Sequence, residues 1–315
     1  MTHYTRRDFT KLALAALPAA GALSFAPSLH AASGKPNSKV RGVQIGLNVP
    51  YSFKNPAMDG DEVLANCVKL GLSGVELRTQ PVEAFLGADP ALVGEKARLA
   101  AAAGGLDRMR QWRKTAPVEK AKDFRKNYEA AGVKIEIVKV DNIFKMSEPE
   151  LDYVFTLAKH LGARALSTEI SKSDDDHKRV GSFADKHAMM IGYHGHATTT
   201  PEHWEKAFAL AKHNGANVDL GHFVAGNDSS VVDFIRKHHA RITHVHVKDR
   251  KSKANGGTNM PFGQGDTPIV EVLRLIRDNK WPIQATIEFE YPVPAGSDRM
   301  GEIARCIQFC RAALA

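Results

Sequence analysis

The chain has 315 residues, of which 43% are hydrophobic, 25% charged and 7% aromatic, and its formal net charge is +8. These proportions exclude a disordered or collagen-like chain, and three cysteines are too few, and odd in number, for a disulfide framework. The positive charge admits a nucleic-acid partner, a reading that the rest of the sequence must answer.

Residues 1–32 read as an address rather than as fold. Thr5-Arg6-Arg7-Asp8-Phe9-Thr10-Lys11 sets paired arginines ahead of an apolar run, Leu12 to Ala26, broken by Pro18 and Gly21. That run is shorter than the roughly 20 residues a membrane span needs. Small residues follow at Ala31, Ala32 and Ser33. The segment resembles a twin-arginine export signal. The resemblance implies the twin-arginine export machinery as a partner, export of an already folded protein, and a periplasmic or secreted location without a stable membrane anchor. Three cations against Asp8 account for +2 of the charge, so +6 remains on the rest.

From residue 40 onward, short β-rich runs alternate with helical patterns. The predicted strands are Val43–Leu47, Gly74–Leu77, Lys134–Val140, Arg164–Thr168, Met189–Tyr193, Asn217–Leu220, Ile242–Val247 and Ala285–Phe289. Helices are predicted over Asp61–Leu70, Glu148–Leu161, Glu202–His213 and Pro268–Asn279. Gly71, Gly132, Gly162, Gly215 and Asn279 stand where helix ends need a left-handed residue. Residues 81–131 read as an insertion plus helix over the mouth, with a basic stretch at Arg108, Arg110, Arg113 and Lys114. Eight strand–helix units in about 280 residues fit a single-domain α/β fold, the closed (β/α)8 TIM barrel. An open dinucleotide-binding sheet would want a glycine-rich turn after the first strand, and Gly42 to Pro50 has none.

In such a barrel, function collects at the carboxyl ends of the strands. The last four predicted strands end in metal-ligand residues: His194 and His196, Asp219 and His222, His244 and His246, Glu288 and Glu290. Each set is a full βα unit from the next, so His194, Asp219, His246 and Glu288 can converge on one ion. A lone strand histidine is most often a core residue. Four such endings in register are hard to explain as packing, because buried charges need partners. Residues i and i+2 face one side, roughly 6.7 Å apart, so only one of each pair ligates and the other supports it or touches substrate.

These motifs resemble the sugar phosphate isomerase/epimerase family, the xylose isomerase-like TIM barrels, over residues 40–315. The resemblance rests on Asp219–His222 (Asp-x-Gly-His), His244–Asp249 (His-x-His-x-Lys-Asp), Gly263–Asp266 (Gly-x-Gly-Asp) and Ile287–Glu288. It implies one divalent metal ion held by Asp219, His246 and Glu288, with His194 as fourth ligand where ketose 3-epimerases carry a glutamate. Two imidazoles and two carboxylates favour Mn²⁺, with Zn²⁺, Co²⁺ or Fe²⁺ as alternatives. Metal affinity is expected to fall below about pH 6.

The implied activity is isomerisation or epimerisation of a sugar or keto-sugar, by proton abstraction beside a metal-bound carbonyl through an enediolate. The expected catalytic residues are Glu288, Glu169, Lys248 and His196. The expected substrate contacts are His222, His244, Glu290 and Arg250. Glu169 is alternatively a salt-bridged rim residue, and Lys248 a surface partner of Asp249. Because a ligating His194 cannot serve as a second base, a lyase or hydratase acting on a keto-glycoside or keto-inositol is the alternative. A non-catalytic periplasmic sugar-binding protein and an endonuclease IV-like nuclease are the rivals. Export away from the chromosome argues against nucleic acid as the partner, and a homo-oligomer is compatible with the sequence. Cys306 and Cys310 read as core packing on the last helix.

Overall fold

A computed structural model describes residues 34–55, 58–93 and 104–315; the twin-arginine segment, with Arg6 and Arg7, lies outside them. Eight parallel strands close on themselves: β1 (Val43–Val49), β2 (Gly74–Arg78), β3 (Lys134–Lys139), β4 (Ala165–Glu169), β5 (Met190–His194), β6 (Asn214–Asp219), β7 (Ile242–Val247) and β8 (Gln284–Ile287). Each pairs with the next, and β8 pairs with β1 through Ala285 and Ile45 and Ile287 and Leu47. This is the single-domain barrel expected from the sequence.

Helices surround it: α1 (Gly60–Lys69), α2 (Thr79–Phe85), α3 (Gly105–Thr115), α4 (Ala121–Ala130), α5 (Glu148–His160), α6 (Asp174–His187), α7 (Pro201–Leu210), α8 (Leu220–Gly226), α9 (Val231–His238), α10 (Ile269–Asp278) and α11 (Arg299–Leu314). The helices lie down by their apolar stripes. In α10 the stripe is Ile269, Val272, Leu273 and Ile276, all buried, at the 3-and-4 spacing of one helix face. Among the described residues no helix is long and apolar enough to cross a membrane. Cys67, Cys306 and Cys310 are free thiols in the core.

Some local expectations need correction. Gly71, Gly132 and Gly162 do take positive φ after their helices. Gly215 does not: it lies inside β6, where an added Cβ would stand 2.6 Å from the Arg241 carbonyl. Asn279 is right-handed and the left-handed residue is Lys280. Strand β6 starts at Asn214 rather than Asn217, and Leu220 opens a helix instead of closing the strand. Helix α7 ends at Leu210, which leaves room for β6 to begin three residues early.

The basic stretch is bound into the fold. Arg113 pairs with Glu83 (2.9 Å) and Glu150 (3.0 Å), both carboxylates buried, and so fastens α3 to α2 and α5. Two register irregularities fall at Val75/Glu76 and Ala216/Asn217. Bulges re-aim side chains, and both lie beside residues of the centre described next.

Candidate metal centre and catalytic mouth

Strand register assembles the polar residues. Asp219 of β6 stands opposite His246 of β7, which stands opposite Thr286 of β8. Glu288 follows Thr286 by two positions and so returns to the same side, one step nearer the mouth. His194 ends β5. One ligand atom from each of His194, Asp219, His246 and Glu288 lies within 4.8 Å of the others. His194 Nε2 is 3.6 Å from Asp219 Oδ2, and His246 Nδ1 is 3.4 Å from Glu288 Oε1. All four residues are buried.

These atoms fit a cation. His194 Nε2 and His246 Nδ1 make no hydrogen bond, and Asp219 Oδ2 has only the Lys248 ammonium, 3.1 Å away. Each unmet buried nitrogen costs about 1–3 kcal/mol, and one ion facing all three atoms would answer that cost. Two imidazoles and two carboxylates are the donor set of a borderline divalent metal.

The outer nitrogens and oxygens of the same residues are already engaged. His246 Nε2 is 2.6 Å from Glu76 Oε2, and His194 Nδ1 is 3.0 Å from Glu169 Oε2. Each carboxylate fixes its ring so that the opposite nitrogen faces the centre. Asp219 Oδ1 accepts from the His222 backbone N–H (2.7 Å) at the start of α8, which leaves Oδ2 for the centre. Asn48 of β1 donates to Glu288 Oε1 (2.9 Å). Gly195, between His194 and His196, leaves space for a ring: its Cβ would stand 2.3 Å from Trp204 Cζ2.

Lys248 is the resident counter-charge. Its Nζ is 2.7 Å from Glu288 Oε2, 2.7 Å from Glu290 Oε2 and 3.1 Å from Asp219 Oδ2. Burial works against the ammonium, but Asp219 and the two glutamates raise its pKa. Burial likewise works against the carboxylates, yet Lys248 keeps Asp219 and Glu288 well below the usual range. The Asp249 partnership considered from sequence does not form. Asp249 instead accepts from the backbone N–H groups of Gly263 and Gly265 (2.8 Å each) and Thr267 (3.3 Å). This explains the Gly-x-Gly-Asp motif, since a Cβ on Gly265 would stand 2.0 Å from Asp249 Oδ1.

The other expected residues divide between rim and floor. His196 is exposed at the mouth, 2.7 Å from Glu169, whose hydrogen bond raises its pKa. His222 lies between Lys248 Nζ (3.2 Å) and the Arg250 guanidinium. Burial, with Lys248 beside it, lowers its pKa to about 4 despite Asp219. Glu290 accepts from the Tyr51 hydroxyl (2.6 Å) as well as meeting Lys248.

Two expected roles meet a physical obstacle. Glu169 is no free base: Lys139 holds one oxygen (2.6 Å) and the two histidines hold the other. Burial opposes its charge, but Lys139 and the histidines drive its pKa far down. A carboxylate held so low takes a proton poorly. His244, expected at substrate, is fully buried below His246, 3.4 Å from Glu76. It belongs to the floor because the i, i+2 partner nearer the strand end is His246.

Glu76, Asn48 and Tyr51 were not singled out by sequence. The available signal for Glu76 was a carboxylate inside an otherwise apolar strand, Val75-Glu76-Leu77, where burial demands a partner.

A model of the xylose isomerase-like TIM barrel family matches residues 155–312, the half that carries all four candidate ligand positions. No curated protein matches the sequence. Among solved structures, the chain is similar to a xylose isomerase domain protein from Alicyclobacillus acidocaldarius at 15% identity, covering 86% of this chain and 99% of that one, with a TM-score of 0.62. It is similar to a probable 3-DHS dehydratase from Bacillus anthracis at 13% identity, covering 86% and 97%, TM-score 0.57. It is also similar to a 3-keto-D-glucoside 4-epimerase from E. coli at 11% identity, covering 86% and 99%, TM-score 0.56. At such identities the likeness is one of fold. With a family model spanning half its length and a closed barrel of the same build, the chain belongs to the xylose isomerase-like TIM barrel family.

Proposed function

We propose that the protein is a divalent-metal-dependent isomerase or epimerase that moves a proton beside the carbonyl of a sugar or keto-sugar. The observation that carries this reading is the convergence of three buried atoms, His194 Nε2, Asp219 Oδ2 and His246 Nδ1, the two nitrogens without a hydrogen bond, on Glu288 at the mouth of the barrel. His194, Asp219, His246 and Glu288 would hold the ion, with Mn²⁺ the first expectation. The chemistry a bound cation supplies there is Lewis-acid polarisation of the carbonyl.

The protein's own groups supply the rest. Lys248, kept as an ammonium by its carboxylates, donates a hydrogen bond to the oxygen on which negative charge develops. Glu290, on the Lys248 side, and His196, on the Glu169 side, are the two groups placed to take or return a proton. His222 and Arg250 line the rim as substrate contacts. A dehydratase is the second reading: the strand-five ligand is a histidine, and Glu169 behind it is fully committed, so that side offers no free carboxylate. A dehydratase and an epimerase both stand among the similar folds.

The test is metal analysis of purified protein, followed by incubation with ketoses, keto-glycosides and keto-inositols in deuterated water. Deuterium at the carbon beside the carbonyl, lost in His246→Ala together with the metal, is the expected outcome. Metal-loaded protein that exchanges no proton on any of them sinks the proposal. Export by the twin-arginine route is part of the proposal. It is checked by cell fractionation of the native chain against Arg6→Lys/Arg7→Lys.

A further inference from the structure

A separate cavity of about 510 Å³ opens beside the loops that follow β2 and β3, bordered by α3. Loops after barrel strands build the catalytic face, so this cavity shares a face with the metal centre. Its size lies in the range of roughly 300–1,000 Å³ that holds small molecules. Gln80 and Asp141, just past the ends of β2 and β3, are among its lining residues. Asp141 accepts two hydrogen bonds from Arg78 (2.7 Å each). The Arg78 guanidinium lies 4.9 Å from the centre of the Tyr51 ring, and Tyr51 bonds Glu290 beside Lys248. Contact is thus continuous from the metal centre to the cavity.

The cavity presents an apolar surface of Leu92, Leu106, Met109 and Met146. Leu106 is 54% exposed, a large apolar side chain left in water beside an opening. Among the described residues, the arginines along it, Arg110 and Arg113, spend their charge on Asp107, Glu83 and Glu150. The Gln80 amide side chain donates to Asp141 (2.9 Å) at the edge of this surface.

We propose that this cavity is a subsite for an apolar group attached to the sugar, so that the substrate is a glycoside with an apolar aglycone rather than a free monosaccharide. The substrate class rests on the sugar reading above, whereas the affinity of the cavity for an apolar ring does not.

The probes are 4-nitrophenol, phenyl β-glucoside, phenyl β-galactoside and the two parent sugars, titrated calorimetrically into metal-loaded and chelator-treated protein. The variant is Leu106→Asp, in the first turn of α3, where a helix N-terminus welcomes an acid. A phenyl glycoside should bind roughly tenfold or more tighter than its parent sugar, and Leu106→Asp should remove that advantage. Binding of 4-nitrophenol with or without metal, lost in the variant, supports the subsite even if no sugar binds and the proposed function falls. Equal affinity for glycoside and parent sugar overturns the subsite and leaves the metal-dependent sugar enzyme standing. So does an advantage that survives Leu106→Asp, or an equal loss for both ligands.

Discussion

His246 has two nitrogens with two tasks, and the residue scale turns on them. Nε2 meets Glu76 at 2.6 Å while Nδ1 faces the centre. Burial opposes a charge on this ring, but Glu76 and Glu288 raise its pKa to about 10. In the ion-free protein it therefore keeps a proton through neutral pH, and a metal must displace it. Raising the pH removes the competitor, so affinity should climb about tenfold per pH unit between roughly pH 6 and 9. This extends the acid-side loss expected from sequence. A chelator competition at three pH values reads the slope, and a flat line would count against His246 as a ligand. Glu76→Gln should weaken metal binding by about 10–100-fold without emptying the site, whereas His246→Ala should empty it. His194, Asp219, His246 and Glu288 were legible because each is a ligand type at a predicted strand end. Glu76 was not, because its meaning depends on His246, 170 positions away, and only the closed barrel brings them together.

The most buried tie on helix α3 is the Arg113 guanidinium. Arg113 answers Glu83 and Glu150, each 2% exposed. Removing one partner of a buried pair costs about 3–5 kcal/mol; here Glu83 loses its ion pair, while Glu150 keeps Arg110 and Ser147. Arg113→Met should lower stability by that amount in urea titration; a change under about 1 kcal/mol would mean the pair is worth no more than a surface bridge. Strands were legible within a few residues because buried barrel strands announce themselves as short β-branched runs. The helices α2 and α8 were not, since they have seven residues each and owe their stability to tertiary contacts and to caps such as Asp219 rather than to an apolar period. The same reason misplaced Gly215. A glycine between a helix and a strand reads as a cap, and only the close approach of the Arg241 carbonyl shows that it is a strand residue.

At the scale of the whole molecule, eight alternating units sufficed for the closed barrel, because few chains of this length satisfy that pattern another way. The cavity beside α3 was illegible: it is made of what three separate loops and helices leave unfilled, and no local pattern encodes an absence. An ion that binds the folded chain alone must also stabilise it, by about 2.7 kcal/mol at a free concentration one hundred times Kd. Thermal melts with Mn²⁺ and with chelator should therefore differ by several degrees, and His246→Ala should melt at one temperature in both.

Lys248 gives the centre a history as well as a charge. With an ammonium already seated among Asp219, Glu288 and Glu290, the acidic ring can assemble before any metal arrives. If the ring also holds the proposed ion, folding does not have to wait for it. The same ammonium would repel any cation offered to the ring, so a weakly binding ion would gain little there. Replacing Lys248 with methionine should thus make the vacant protein fragile and the ion harder to strip away, two opposite effects from one substitution.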